Sequence, residues 1–194
     1  MIDHRQGIAL ACLTACLLTG PTAHAGLDAY VKAPDPTYSW KSINHRDFDT
    51  GTAYHLDLTS QTWQGAPWRH ALQIFEPKEI KHEDIMLLFV TGGNNREDPP
   101  KTSDAAVGFA LAQACGARVA ILSQVPNQPL MGGRTEDDLI AETFVKYLET
   151  KDENYPLLFP MAKSVVRAMD TLQEWGAKEK KPVTRFVVSG ASKR

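Results

Sequence analysis

Apolar residues recur along this chain with two different spacings. Trp40 to Phe48, Thr52 to Trp63 and Trp68 to Phe75 carry alternating or β-rich patterns, separated by the turn signals Asp49-Thr50-Gly51 and Gly65-Ala66-Pro67. Tyr54, Leu56 and Leu58 fall on one face at a period of two, as do His70, Leu72 and Ile74. This predicts an antiparallel meander with one face packed and the other wet. At Ile85 the alternation stops. Ile85-Met86-Leu87-Leu88-Phe89-Val90 is apolar throughout, as expected of a strand covered on both faces.

Beyond Val90 helical spacing takes over. Ser103 can cap a helix through Ala105, Val107, Phe109, Leu111 and Ala114, which Gly116 ends. Arg118 to Val125 predicts another buried strand. Thr135-Glu136-Asp137-Asp138 opens a helix with acids where its dipole favours them, and Leu139, Ile140, Phe144, Val145 and Leu148 form its apolar stripe. Pro156 to Trp175 reads as one helix or two on Met161, Val165, Ala168, Met169 and Leu172, with Gly176 as the stop. A last strand begins at Thr184. Strands alternating with amphipathic helices predict a parallel sheet built from right-handed crossovers. The expected fold class is α/β: an N-terminal antiparallel β meander leading into a mostly parallel sheet with flanking helices.

The candidate chemistry lies where the last strand ends. Thr184-Arg185-Phe186-Val187-Val188 feeds Ser189-Gly190-Ala191-Ser192, the pattern of a nucleophile elbow, in which a strained strand-to-helix turn lifts a serine above the sheet of an α/β-hydrolase. Ser192 is the candidate nucleophile. The backbone N–H of Lys193, with one near Gly93 or Asn94 just past the buried strand, would form the oxyanion hole. The plainer alternatives are a helix-capping serine at Ser192 and a simple strand-exit turn at Gly92-Gly93. Arg194 departs from the Gly-x-Ser-x-Gly pattern at a position that must pack close to Gly190.

No histidine offers an evident base for Ser192. His45, His55 and His70 lie in the meander and His82 in a charged loop, and each reads as a strand or surface residue. In such hydrolases the acid and the histidine follow the serine, and here the sequence ends two residues after it. The chain therefore reads as the N-terminal part of a longer hydrolase-like domain that is inactive alone. Neither H-x-x-x-H nor a Cys/His cluster occurs, so no metal or cofactor is expected. Glu136, Asp137 and Asp138 read as the acidic first turn of a helix.

Composition narrows the classes further. With 194 residues, 43% apolar and 23% charged, the chain has the size of about one domain. A net charge of -2 with interspersed signs argues against nucleic acid and charged membrane surfaces as partners. Lys178-Glu179-Lys180-Lys181 reads as a solvated helix end. Residues 1–25 form a predicted signal peptide: Arg5, an apolar run from Gly7 to Leu18, and Ala23-His24-Ala25 before Gly26. The apolar run is shorter than the roughly 20 residues a transmembrane helix needs, and cleavage after Ala25 predicts a periplasmic or secreted protein made of residues 26–194. Leu13-Thr14-Ala15-Cys16 also resembles a lipobox, which would make Cys16 a lipidated first residue. Cys115, the last cysteine after cleavage, reads as a small buried core residue.

Several blocks in order resemble the PhoPQ-activated pathogenicity-related protein family, which is similar to the autocrine proliferation repressors of social amoebae. They are Tyr30-Val31 with Pro34-Asp35 and Tyr38-Ser39-Trp40, Gly92-Gly93-Asn94, Gln124 to Leu130, Arg134 to Ile140, Pro160 to Ser164 with Arg167 to Asp170, and Val188 to Arg194. The resemblance implies an α/β-hydrolase-like fold related to prolyl-oligopeptidase-type peptidases, export, and an association with virulence and resistance to antimicrobial peptides. It leaves two function classes open. One is a serine hydrolase acting on an ester or peptide substrate; the other is a non-catalytic binder of peptides or host factors.

Overall fold

The computed structural model describes residues 26–98, 102–103 and 105–194. The predicted signal peptide lies outside them. In chain order the elements are α1 (Leu27–Lys32), β1 (Ser39–Phe48), β2 (Gly51–Trp63), β3 (Ala66–Pro77), β4 (His82–Val90), α2 (Ala105–Cys115), β5 (Ala117–Leu122), α3 (Glu136–Thr150), α4 (Leu158–Lys178) and β6 (Arg185–Gly190).

The meander forms as its alternation predicts. β1 and β2 pair antiparallel from Ser39 opposite Thr59 to Phe48 opposite Gly51, and β2 pairs with β3 from Gly51 opposite Pro77 to Trp63 opposite Ala66. Gln64 and Gly65 both have positive φ, 49° and 76°, the requirement of a two-residue type I′ hairpin turn. Leu56, Leu58, His70, Leu72 and Ile74 are fully buried on one face. The opposite face of β3 departs from the expected wet surface: Phe75 is buried too, packed with Phe109 and Ala112 of α2 and with Val119 and Ile121. A glycine at 108 permits this, because a Cβ there would collide with the Phe75 ring.

One six-stranded sheet results, in the order β1-β2-β3-β5-β4-β6. β3 meets β5 antiparallel, while β4 pairs parallel with both β5 and β6. The crossover through α2 carries the chain from β4 to one neighbour, and the crossover through α3 and α4 returns it to the other side of β4. That reversal makes the carboxyl end of β4 a topological switch point, where open α/β sheets form their ligand crevice. The larger core lies on the α4 face, where Ala168, Leu172 and Trp175 pack with Leu56, Leu72, Met86 and Leu88. Full burial of each large side chain there contributes about 1.5–3 kcal/mol.

Tertiary contacts revise several local expectations. α4 runs through Gly176 to Lys178, because this glycine serves close approach and not helix termination: a Cβ would lie 2.5 Å from the Lys181 carbonyl oxygen. β5 stops at Leu122, where Gln124 N turns to the Gly92 carbonyl at 3.0 Å. Of the expected α3 stripe only Leu139 is buried, while Phe144, Val145 and Leu148 are exposed. Thr143 ties that helix to the start of α4, its hydroxyl accepting from Leu157 N at 3.2 Å. Cys115 is exposed at the end of α2, not buried. Lys181 leaves the expected solvated cluster to donate to Glu76 at 2.7 Å and to the Tyr54 hydroxyl at 2.6 Å. Among the described residues no helix is long and apolar enough to cross a membrane.

Candidate functional site

β6 brings the predicted elbow to the switch point. Gly190 stands opposite Val90 in the parallel ladder, so both strands end together and the two loops that follow face each other. Ser192 then adopts φ 62°, a left-handed conformation that costs a non-glycine residue roughly 1–2 kcal/mol and that brings its side chain to the surface. The turn closes with Arg194 N donating to the Ala191 carbonyl at 3.3 Å. Gly190 is required by the same geometry: a Cβ there would sit 2.6 Å from the Arg194 carbonyl oxygen.

The facing loop begins at Thr91, whose N–H continues the ladder to the Leu122 carbonyl at 2.8 Å. Gly93 follows at φ 145°. Among the described residues the backbone N–H groups of Gly93, Asn94 and Lys193 donate to no protein acceptor. The pairing of Gly190 with Val90 thus puts the segment carrying Ser192 and Lys193 and the segment carrying Gly93 and Asn94 at the same end of the sheet, and of these four residues Lys193 lines the adjoining cleft.

Arg194, the departure from the glycine pattern, is accommodated by sending its side chain across the facing loop. Its Nε donates to the Val125 carbonyl at 2.7 Å and its Nη2 to Glu136 Oε1 at 2.7 Å. The guanidinium occupies the space a Cβ on Gly92 would take. Lys193 Nζ pairs with Glu136 Oε2 at 3.3 Å and with Asp137 Oδ1 at 3.1 Å. Gln128 closes the set, donating to Glu136 Oε1 at 2.6 Å and accepting from Glu136 N at 2.8 Å. Partial burial alone would raise the Glu136 carboxyl, but hydrogen bonds from Gln128 and Arg194 and the charge of Arg194 outweigh it and hold its pKa below the usual glutamate value. Hydrogen bonds to Asp137 and Glu136 hold Lys193 above the ordinary lysine value. The acidic helix start is therefore more than a response to the helix dipole. Nothing local in the sequence separates these roles, because the partners lie 57 and 58 residues apart.

A cleft of about 320 Å³ opens beside the elbow, walled by Val90, Val125, Met161, Val165 and Val188, with Lys193 and Arg194 at its polar side.

The histidines do not meet this serine. His45 and His55 lie on β1 and β2, at the end of the sheet opposite β6. His82 opens β4, roughly 26 Å from its carboxyl end at about 3.3 Å per residue. His70 is a strand residue of β3, on its packed face and fully buried. Its Nδ1 bonds the Ser123 carbonyl at 3.0 Å and its Nε2 the Ser60 hydroxyl at 2.9 Å. Ser60 and His70 form a serine–histidine pair enclosed by core, with no exposed surface to admit a substrate.

Known proteins share this architecture. Two solved structures with α/β-hydrolase-type folds each cover 86% of the chain: a glucuronoyl esterase from Solibacter usitatus, at a TM-score of 0.50 and 13% identity, and acetyl xylan esterase 1 from Thermoanaerobacterium sp. JW/SL YS485, at 0.50 and 18%. The chain spans 50% of each of them. Autocrine proliferation repressor protein A of Dictyostelium discoideum is 34% identical over 95% of the chain, which spans 38% of that relative's length. The family model for PhoPQ-activated pathogenicity-related proteins matches residues 27–194. With essentially every described residue inside that match, the chain belongs to the PhoPQ-activated pathogenicity-related protein family.

Proposed function

We propose that this chain carries the nucleophile and the oxyanion donors of an exported serine hydrolase acting on carboxylic esters. The observation that carries the reading is Ser192, exposed at φ 62° directly past β6, whose last residue pairs with the last residue of β4. In the reaction a base takes the Ser192 hydroxyl proton as Oγ bonds to the acyl carbon. The carbonyl electron pair moves to oxygen, where the N–H of Lys193 and that of Gly93 or Asn94 stabilise it. Collapse of the oxyanion breaks the bond to the alkoxy oxygen, which leaves with the proton held by the base. Water then releases the acyl group by the same steps. The esterase names of the structural neighbours and the apolar cleft favour an ester over a peptide.

The second reading, a non-catalytic binder of peptides or host factors, is favoured by one observation: each described histidine is remote from Ser192 or committed to the core. A small exogenous base separates the two. Purified chain and its Ser192→Ala variant are compared for p-nitrophenyl acetate hydrolysis over a range of imidazole concentrations. Equal rates without imidazole, and a saturating rate that only the wild type shows with it, are the expected results. Equal rates at every imidazole concentration reject the nucleophile and leave the binder.

A further inference from the structure

Three side chains from two segments converge on one carboxylate. Glu136, the first residue of α3, receives Arg194 and Gln128 on Oε1 and Lys193 on Oε2. Arg194 and Lys193 belong to the elbow. Gln128 belongs to the loop after β5 and also donates to the Gly93 carbonyl at 3.3 Å, while its own carbonyl accepts from Asn95 N at 2.6 Å. Glu136 thereby links the two sides from which the oxyanion donors come. It does so at φ 49°, a left-handed conformation that is strained for a non-glycine residue and persists where surrounding contacts over-determine it.

The geometry points to Glu136 as the positioning residue of the oxyanion site, holding the elbow and the β4 exit loop in the register at which the N–H of Lys193 and that of Gly93 or Asn94 converge. The inference rests on the reading of Ser192 as nucleophile. Magnitudes favour a positional over a stabilising role. The Glu136 carboxylate is 39% exposed, against 17% for Glu76, so solvent screens its ion pairs and limits their contribution to stability, even though Arg194 itself is only 13% exposed. Displacement of oxyanion donors, by contrast, is steeply felt: a shift of about 1 Å can cost on the order of a hundredfold in rate. Without the carboxylate, Arg194 loses its counter-charge, Lys193 keeps only Asp137, and the Gln128 amide that donates to Gly93 loses its second acceptor while its oxygen stays bonded to the residue 136 N–H.

The test uses imidazole-supported turnover together with a readout independent of turnover, the hydrogen exchange of Arg194 Nε–H observed by NMR. In Glu136→Ala the limiting rate at saturating imidazole should fall about ten- to hundredfold, with the imidazole half-saturation and melting temperature unchanged and Arg194 Nε–H exchanging faster. Glu136→Gln, which keeps an acceptor for Arg194 and Gln128, should recover most of the rate. Wild-type turnover in a folded Glu136→Ala, or a loss in both variants that tracks loss of folded protein, overturns the assignment. Absence of Ser192-dependent turnover in the wild type, with Arg194 Nε–H still protected, locates the failure in the nucleophile itself, and the positioning role falls with it.

Discussion

Arg194 reaches Glu136 at 2.7 Å across 58 residues of sequence, and this pair explains how an arginine occupies a position where the elbow pattern has glycine. The close approach there involves backbone: the Arg194 carbonyl lies against Gly190, while its side chain leaves over Gly92 toward the acid. The restriction on size falls on the two glycines and not on residue 194.

Gly190→Ala should therefore disable the elbow. Its Cβ would stand 2.6 Å from a backbone oxygen, so the turn must open and Ser192 must move. The expected outcome is loss of imidazole-supported turnover to the level of Ser192→Ala, with little change in urea midpoint, because the turn lies at the exposed end of the sheet. Turnover retained in Gly190→Ala would show that the turn is not tightly specified.

His70 should make stability depend on pH. Burial lowers its pKa from 6.5 to about 4, against the raising effect of its hydrogen bonds to backbone. The folded state thus favours the neutral ring, and the unfolded chain takes up a proton first as pH falls. The contribution is fully present above pH 6.5 and is lost as pH falls through 6.5 toward 4, amounting to about 3 kcal/mol across that window. Urea unfolding between these pH values measures it. His70→Gln should be less stable at neutral pH but should lose most of the slope, and an equal slope in both proteins would contradict this account.

The ion pairs should differ sharply in weight. Glu76 meets Arg118 at 2.6 Å and Lys181 at 2.7 Å with side-chain exposures of only 17%, 8% and 25%. Glu76→Ala strands a buried guanidinium and should cost about 3–5 kcal/mol. Asp84 pairs with Arg185 at 3.0 Å in open solvent, and Asp84→Ala should leave the urea midpoint unchanged. Similar midpoints for the two variants would refute the distinction.

Much of this fold is legible in the sequence because its signals are local. Alternation from Trp40 to Phe75, the apolar run at Ile85 and the β-rich run into Gly190 each report a strand through its own neighbours. What is not legible depends on residues far along the chain. Gly176 has the look of a helix stop and instead admits the Lys181 carbonyl. His70 sits in a strand pattern whether or not a core encloses it, and only the packing of Ser60 and Ser123 around it reveals the enclosure. Cys115 follows an apolar helix yet points outward at its end. At the candidate site the serine and glycines carry a local motif, whereas the Glu136 link is a long-range charge contact that no local spacing encodes.

The most direct test of the central claim is mass-spectrometric mapping of the adduct formed when the folded chain meets a fluorophosphonate in the presence of imidazole. A nucleophile elbow predicts one modified residue, Ser192, with labelling abolished by Ser192→Ala and by unfolding in urea. No adduct, or labelling spread over other serines equally in folded and unfolded chain, would contradict it.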